Sequence, residues 1–137
     1  VVIDDELSGE AYCYVTTTGR RTGRQHTIEI WFGVEGQTLY VMAGGRERSD
    51  TVRNLRERPE LRVRIGDTTF EGRARVLEAD TPEDALARRL LLDKYAPGYS
   101  GSLEDWGRTA LPVAIDLGPV LSTDAADALW PKGRRTG

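Results

Sequence analysis

The sequence holds one cysteine (Cys13), one histidine (His26) and one methionine (Met42). A lone cysteine excludes an internal disulfide, and with a single histidine beside it the usual zinc ligand sets cannot be assembled, so no metal site is expected. One histidine also leaves little room for a hydrolytic triad, and no G-x-S-x-G elbow is present. Walker A and G-x-G-x-x-G phosphate loops are missing too. No apolar run approaches the roughly 20 residues that cross a bilayer. The acidic opening "VVIDDELSGE" does not read as a signal peptide. These absences predict a chain without stable membrane insertion in a reducing, cytoplasmic setting, and the abrupt opening raises the expectation of a segment before Val1. Lysine is nearly missing as well. Of 19 basic residues only Lys94 and Lys132 are lysines, and arginine supplies the rest.

Arginine suits planar oxyanions, because its fork donates two parallel hydrogen bonds. The formal net charge is −3, so the surface as a whole should not coat nucleic acid, and any anion receptor must be local. At 137 residues the chain is expected to form a single domain, 1–137, with a tail of uncertain structure over 118–137. "YCYVTT" (Tyr12–Thr17), "TIEIWFGV", "TLYVMA", "LRVRIG", "TFEGRARVLE" and "LPVAIDL" read as strands. Ile28, Ile30 and Phe32 fall on one face and Glu29 and Trp31 on the other. "EGQ" and "GDT" are turns. A helix is expected over "SDTVRNLRERP", capped by Ser49 or Asp50, with Val52 and Leu55 as its buried stripe. A second starts at Thr81-Pro82 and runs to about Tyr95. "SLEDWGRTA" offers a further turn of helix capped by Ser102 with Asp105. Strands come in succession and helices late, which is not the alternating rhythm of a parallel sheet. The expected fold is mainly β (α+β), a small antiparallel barrel with peripheral helices.

Two segments carry chemistry. In "GRRTGRQH" the glycines Gly19 and Gly23 can turn backbone N–H groups inward as an anion nest, with Arg20, Arg21 and Arg24 adding charge-assisted bonds. "GRRTG" recurs at 133–137 without flanking strands, where it reads as solvent-exposed. His26 is a candidate phosphate ligand, acid catalyst or polar residue at a strand entrance, with no partnering acid or nucleophile nearby in sequence. In "MAGGRERSD", Met42 and Ala43 end a strand and Gly44-Gly45 allow backbone to approach a flat ligand; a carboxylate at Asp50 would compete with bound phosphate. Trp31, Tyr95, Tyr99 and Trp106 are candidates to line an apolar pocket, and equally suit the core, its rim or an interface. A nucleic-acid module is disfavoured by the overall charge and by the lack of an aromatic platform beside the arginines.

From about Tyr12 to Leu117 the chain resembles the deazaflavin-dependent nitroreductase and quinone reductase family. That family belongs to the FMN-binding split-barrel superfamily, with the pyridoxamine phosphate oxidases. The resemblance rests on "TTTGRRTGRQHTIEIWF", "LYVMAGG", "VRNLRERPELRVRIG", "GRARV" and "DKYAPGYSG…W…ALPVAIDL" in combination. It implies a split β-barrel and coenzyme F420; the alternatives are an FMN-dependent oxidoreductase on the same barrel and a non-catalytic flavin- or deazaflavin-binding protein. The phosphate and acidic tail of F420 would lie on Arg20, Arg21, Thr22, Gly23, Arg24 and His26. Its ring would lie beside Met42, Ala43, Gly44 and Gly45, with Val52, Arg53 and Asn54 following. Hydride would pass to a small-molecule acceptor such as a quinone, nitroaromatic or activated alkene, with Tyr95 or Tyr99 supplying the proton or walling the site. A homodimer is common in the superfamily. Where family members often carry a proline and an aromatic residue before the helical asparagine, this chain reads "SDTVRN".

Overall fold

Seven strands form one antiparallel sheet in the computed structural model, which describes residues 3–122. In chain order they are β1 (Cys13–Thr18), β2 (Gln25–Ile30), β3 (Gly33–Glu35), β4 (Thr38–Ala43), β5 (Glu60–Ile65), β6 (Thr68–Val76) and β7 (Leu111–Ser122). Across the sheet the order is β2-β1-β5-β6-β7-β4-β3. Four helices accompany them: α1 (Asp5–Ser8), α2 (Asp50–Glu57), α3 (Pro82–Tyr95) and α4 (Glu104–Thr109).

The sheet curls around one apolar interior to which Val15, Val63, Ile65, Phe70, Val113 and Ile115 each contribute a buried side chain. Gly72 lies where the pairing of β6 with β7 shifts register; a Cβ there would come 2.7 Å from Ile115 Cγ2, so only glycine lets the strands approach at this bend. Helix α2 forms because Ser49 Oγ accepts from Val52 N–H at 3.3 Å, and it buries Val52 and Leu55 as the interior's plug. Each side chain contributes about 1.5–3 kcal/mol on burial. Outside the barrel, α3 starts from the Thr81 cap with Pro82 in its first turn and lays Ala87 and Leu91 on Tyr40, Met42 and Ala114.

The run "TIEIWFGV" is not one strand. It breaks at Trp31–Phe32, because α3 takes the backbone hydrogen bonds there. Phe32 N–H donates to the Tyr95 hydroxyl at 3.0 Å, and Lys94 Nζ donates to Phe32 O at 3.0 Å. The chain thereby passes from β2 on one edge of the sheet to β3 on the other. The expected alternation survives the break: Ile28, Ile30 and Phe32 join the interior, whereas Trp31 joins the outer layer. Helix α4 begins one residue later than the Ser102 cap implies. Leu103 holds the N-cap position, buried and without a side-chain cap bond, and Ser102 Oγ accepts from Glu104 N–H. Residues 118–122 belong to β7 rather than to a tail, while the second "GRRTG" lies outside the described residues. The short α1 carried no periodic signal; Asp4 caps it by accepting from Leu7 N–H.

Candidate functional site

The loop between β1 and β2 is a tight closed turn. Gly19 N–H donates to Arg24 O, Gly23 N–H to Gly19 O, Arg24 N–H to Thr22 Oγ1 and Arg20 N–H to Asn54 Oδ1. These four N–H groups are therefore committed within the protein, the Gly19 and Gly23 donors of the expected nest among them. Gly23 holds φ +76°, which the turn requires of it. A Cβ on Gly19 would lie 3.0 Å from His26 Nε2, so the imidazole rests on that glycine. Arg20, Arg21, Arg24, His26 and Asn54 line a cavity of about 480 Å³, together with Asp50.

Next to it lies the open seam of the barrel. A slot of about 190 Å³ runs between Ile28 and Ile30 of β2 and Met42, Ala43 and Gly44 at the end of β4, floored by Val52. Beyond the slot is an aromatic cavity of about 420 Å³ bounded by Tyr12, Glu29, Trp31, Tyr99 and Trp106. The three are consecutive. Ile28 and Thr51 line both the arginine cavity and the slot, and Ile30 and Met42 line both the slot and the aromatic cavity.

Gly44 and Gly45 have negative or unstrained backbone geometry; the left-handed turn here falls on Arg46, at φ +53°. A Cβ on Gly44 would meet nothing closer than Trp106, at 3.9 Å. Neither backbone strain nor protein packing therefore demands glycine at position 44. The open space above it is what a flat ligand lying on the strand end needs.

Tyr95 and Tyr99 differ in setting. The Tyr95 ring stacks on Trp31 at 4.4 Å and 4°, and its hydroxyl sits 2.8 Å from Ala11 O and 3.1 Å from Phe32 O. Burial pushes its hydroxyl up to about 12. Tyr99 is exposed and edge-on to Trp31 at 6.0 Å. Lys94, half-buried against the Phe32 ring at 3.6 Å, is pushed down to about 8, chiefly by desolvation.

Of the residues singled out from sequence, Arg20, Arg21, Thr22, Arg24, His26 and Asn54 share the first cavity, and Met42, Ala43, Gly44 and Val52 share the slot. Gly23, Gly45, Arg53 and Tyr95 line none of the three, and Arg53 Nε donates to Glu47 O. Sequence reasoning missed Thr51, Tyr12 and Glu29. Thr51 follows from the helical start at Ser49, but Tyr12 and Glu29 enter only because the sheet curls. Among the described residues no group of three His, Cys, Asp or Glu side chains is placed to hold a metal, and no helix is long and apolar enough to cross a membrane.

A curled antiparallel sheet with a ligand-sized cleft along its open seam is a split barrel. Solved structures confirm the fold. A conserved hypothetical protein of Mycobacterium tuberculosis matches at TM-score 0.68 and 18% identity, over 100% of this chain and 94% of that one. A protein described as an F420 reductase matches at TM-score 0.62 and 19% identity, over 87% and 98%. HutZ, a haem storage protein of Vibrio cholerae, matches at TM-score 0.67 and 13% identity, over 80% and 83%. No curated protein matches the chain significantly. The profile of the F420H(2)-dependent quinone reductase family matches residues 2–118, and the chain belongs to that family of oxidoreductases.

Proposed function

We propose that the chain binds coenzyme F420 along its three cavities and passes reducing equivalents to a flat, uncharged acceptor in the aromatic one, a quinone first of all. The observation that carries this reading is the succession of cavities, cationic, then narrow and apolar, then aromatic, through shared residues. A ligand with an anionic tail and a planar ring has its two ends met in that order. Arg21 and Arg24, both exposed, are placed to take the tail's phosphate and carboxylates. Val52, Ala43 and Gly44 flank the ring, and strand backbone approaches it where Gly44 lacks a side chain. Bound in reduced form, F420 supplies a hydride.

The protein's own work is positioning and exclusion of water. Trp31, fixed by its stack on Tyr95 and edge-on to Trp106 at 5.5 Å, makes the wall against which a planar acceptor lies. Tyr95 is a post rather than a proton donor, because its hydroxyl is bonded to the backbone of Ala11 and Phe32. Tyr99 is the tyrosine free to deliver a proton to the reduced acceptor. Nitroaromatics and activated alkenes of similar flatness fit the same walls.

Titration with F420 and FMN side by side tests the reading, followed by turnover with menadione. F420 is expected to bind more tightly than FMN. The double variant Arg21→Ala/Arg24→Ala should weaken it about tenfold to a hundredfold at low salt and less at high salt. Tighter binding of FMN, or an unchanged F420 affinity in the double variant, would sink it.

A further inference from the structure

Arg20 does not face the arginine cavity as a free cation. Its side chain is only 15% exposed, and its backbone N–H and Nη1 both donate to Asn54 Oδ1, at 3.1 and 2.8 Å. Its Nη2 lies 3.5 Å from Asp50 Oδ1 and its Nε 4.0 Å from Glu57 Oε2. Arg20 thus latches the β1–β2 loop to α2, and two carboxylates already stand against it. Asp50 is itself 83% exposed and lines the cavity. Arg20, Arg21 and Arg24 set against Asp50 and Glu57 leave a single net positive charge on these five side chains.

From this geometry we infer that Asp50 is a specificity-determining residue, a fixed negative charge that admits phosphodiesters with dispersed carboxylates and disfavours phosphate monoesters. The inference rests on the F420 reading above. A monoester concentrates about −1.5 to −2 of charge on one cluster of oxygens at neutral pH. In the cavity that Arg21 and Arg24 share with Asp50, those oxygens also meet the Asp50 carboxylate. A diester carries one charge at that point, and the further acids of an extended tail are free to reach Arg21 and Arg24, which have no acid partner among the described residues. The filter is modest because Asp50 is solvated. A single exposed charge pair changes an equilibrium about two- to fivefold, and the penalty doubles in exponent for a dianion.

The test uses the full chain and three ligands followed by fluorescence: F420, FMN and riboflavin, which has no phosphate. Asp50→Asn keeps the shape and removes the charge. It is expected to tighten FMN about two- to fivefold more than F420, to leave riboflavin unchanged, and to lose the difference in high salt. Glu57→Gln, outside the cavity lining and farther from Arg20, should shift the ratio the same way by less, and it carries the test should Asp50→Asn fail to fold. An unchanged FMN-to-F420 ratio in a folded variant overturns the charge filter and leaves the F420 reading standing. A riboflavin affinity that moves with FMN also overturns it, since the cause is then shape. Wild-type preference for FMN overturns the underlying reading instead.

Discussion

A single methyl group at Gly44 separates the demands of folding from those of binding. Gly44 needs no left-handed backbone, and an added Cβ meets only Trp106, at 3.9 Å from Cδ1 and 4.0 Å from Nε1. Those are ordinary contact distances, so Gly44→Ala should not destabilise the protein. It should stabilise it by about 0.4–1 kcal/mol, because alanine restricts the unfolded chain. Binding answers differently. Gly44 borders a slot of about 190 Å³, and Trp106 borders the aromatic cavity, so the methyl stands in the passage between them. Crowding a fitted planar ligand in this way costs about 1–3 kcal/mol, or about fivefold to 150-fold in Kd. Urea denaturation and F420 titration of the same preparation measure both quantities. A variant that binds F420 like the wild type would refute the placement of the ring against the β4 end. A variant destabilised by more than about 1 kcal/mol would refute the claim that the space is kept for a ligand.

Other substitutions probe neighbouring parts. Gly107→Ala should do the reverse, losing about 1–3 kcal/mol of stability with F420 affinity intact, since its Cβ would lie 2.7 Å from Leu92 Cδ1 in the α3–α4 contact; denaturation and titration again decide it. Tyr99→Phe should lower kcat with a solvent-isotope and pH signature while leaving F420 binding unchanged. Tyr95→Phe should instead cost about 1–2 kcal/mol of stability by leaving Phe32 N–H unpaired, as denaturant curves would show. Lys94 titrates at about 8 in the folded protein against 10.5 for its ordinary value, so the unfolded chain holds more protons between those values. Its penalty is present in full below pH 8 and is relieved as pH rises to 10.5. Burial of the Cys13 thiol, pushed up from 9.0, acts in the opposite sense, so the difference between wild type and Lys94→Met isolates the rise. At low pH, Arg75 holds the Glu83 and Asp116 carboxyls below their usual range. That stability is present above pH 4–5 and is lost as pH falls through the folded values, a loss that Arg75→Met should blunt in acid denaturation.

The strands and both long helices were legible because each carries a local signal: β-branched alternation in "LRVRIG", a cap and proline at Thr81-Pro82, a serine before "DTVRN". The break at Trp31–Phe32 was not, because it is decided by Lys94 and Tyr95, more than 60 residues away. Alternation continues across it and hides it. Within the site, the arginines announced themselves by spacing, but their roles did not. Arg20 looks like its neighbours in sequence, yet Asn54, Asp50 and Glu57 engage it from a helix that packs there only in three dimensions. Arg53, adjacent to Asn54, faces elsewhere. A helix turns 100° per residue, and that turn carries Arg53 toward Glu47 while Asn54 meets Arg20. Tyr95 and Tyr99 are four residues apart and chemically alike. Only the backbone partners of the first distinguish a buttress from a free hydroxyl.

The two-residue link at Trp31–Phe32 also limits how far apart the two edges of the barrel stand. Ile30 and Gly33 end strands on opposite edges of the sheet and are three peptide steps apart, a reach of at most roughly 10–11 Å. That distance is about two strand spacings, the room one absent strand would take. From this pin β2 runs back toward Gln25 and the arginine loop, while β4 runs on from Tyr40, opposite Gly33, toward Ala43. The two edges are thereby tied beside the aromatic wall, and at the arginine end Arg20 ties the β1–β2 loop to α2. The slot between them is thus held at both ends, by a covalent link at the aromatic wall and by a hydrogen-bonded latch beside the charges that greet an anion.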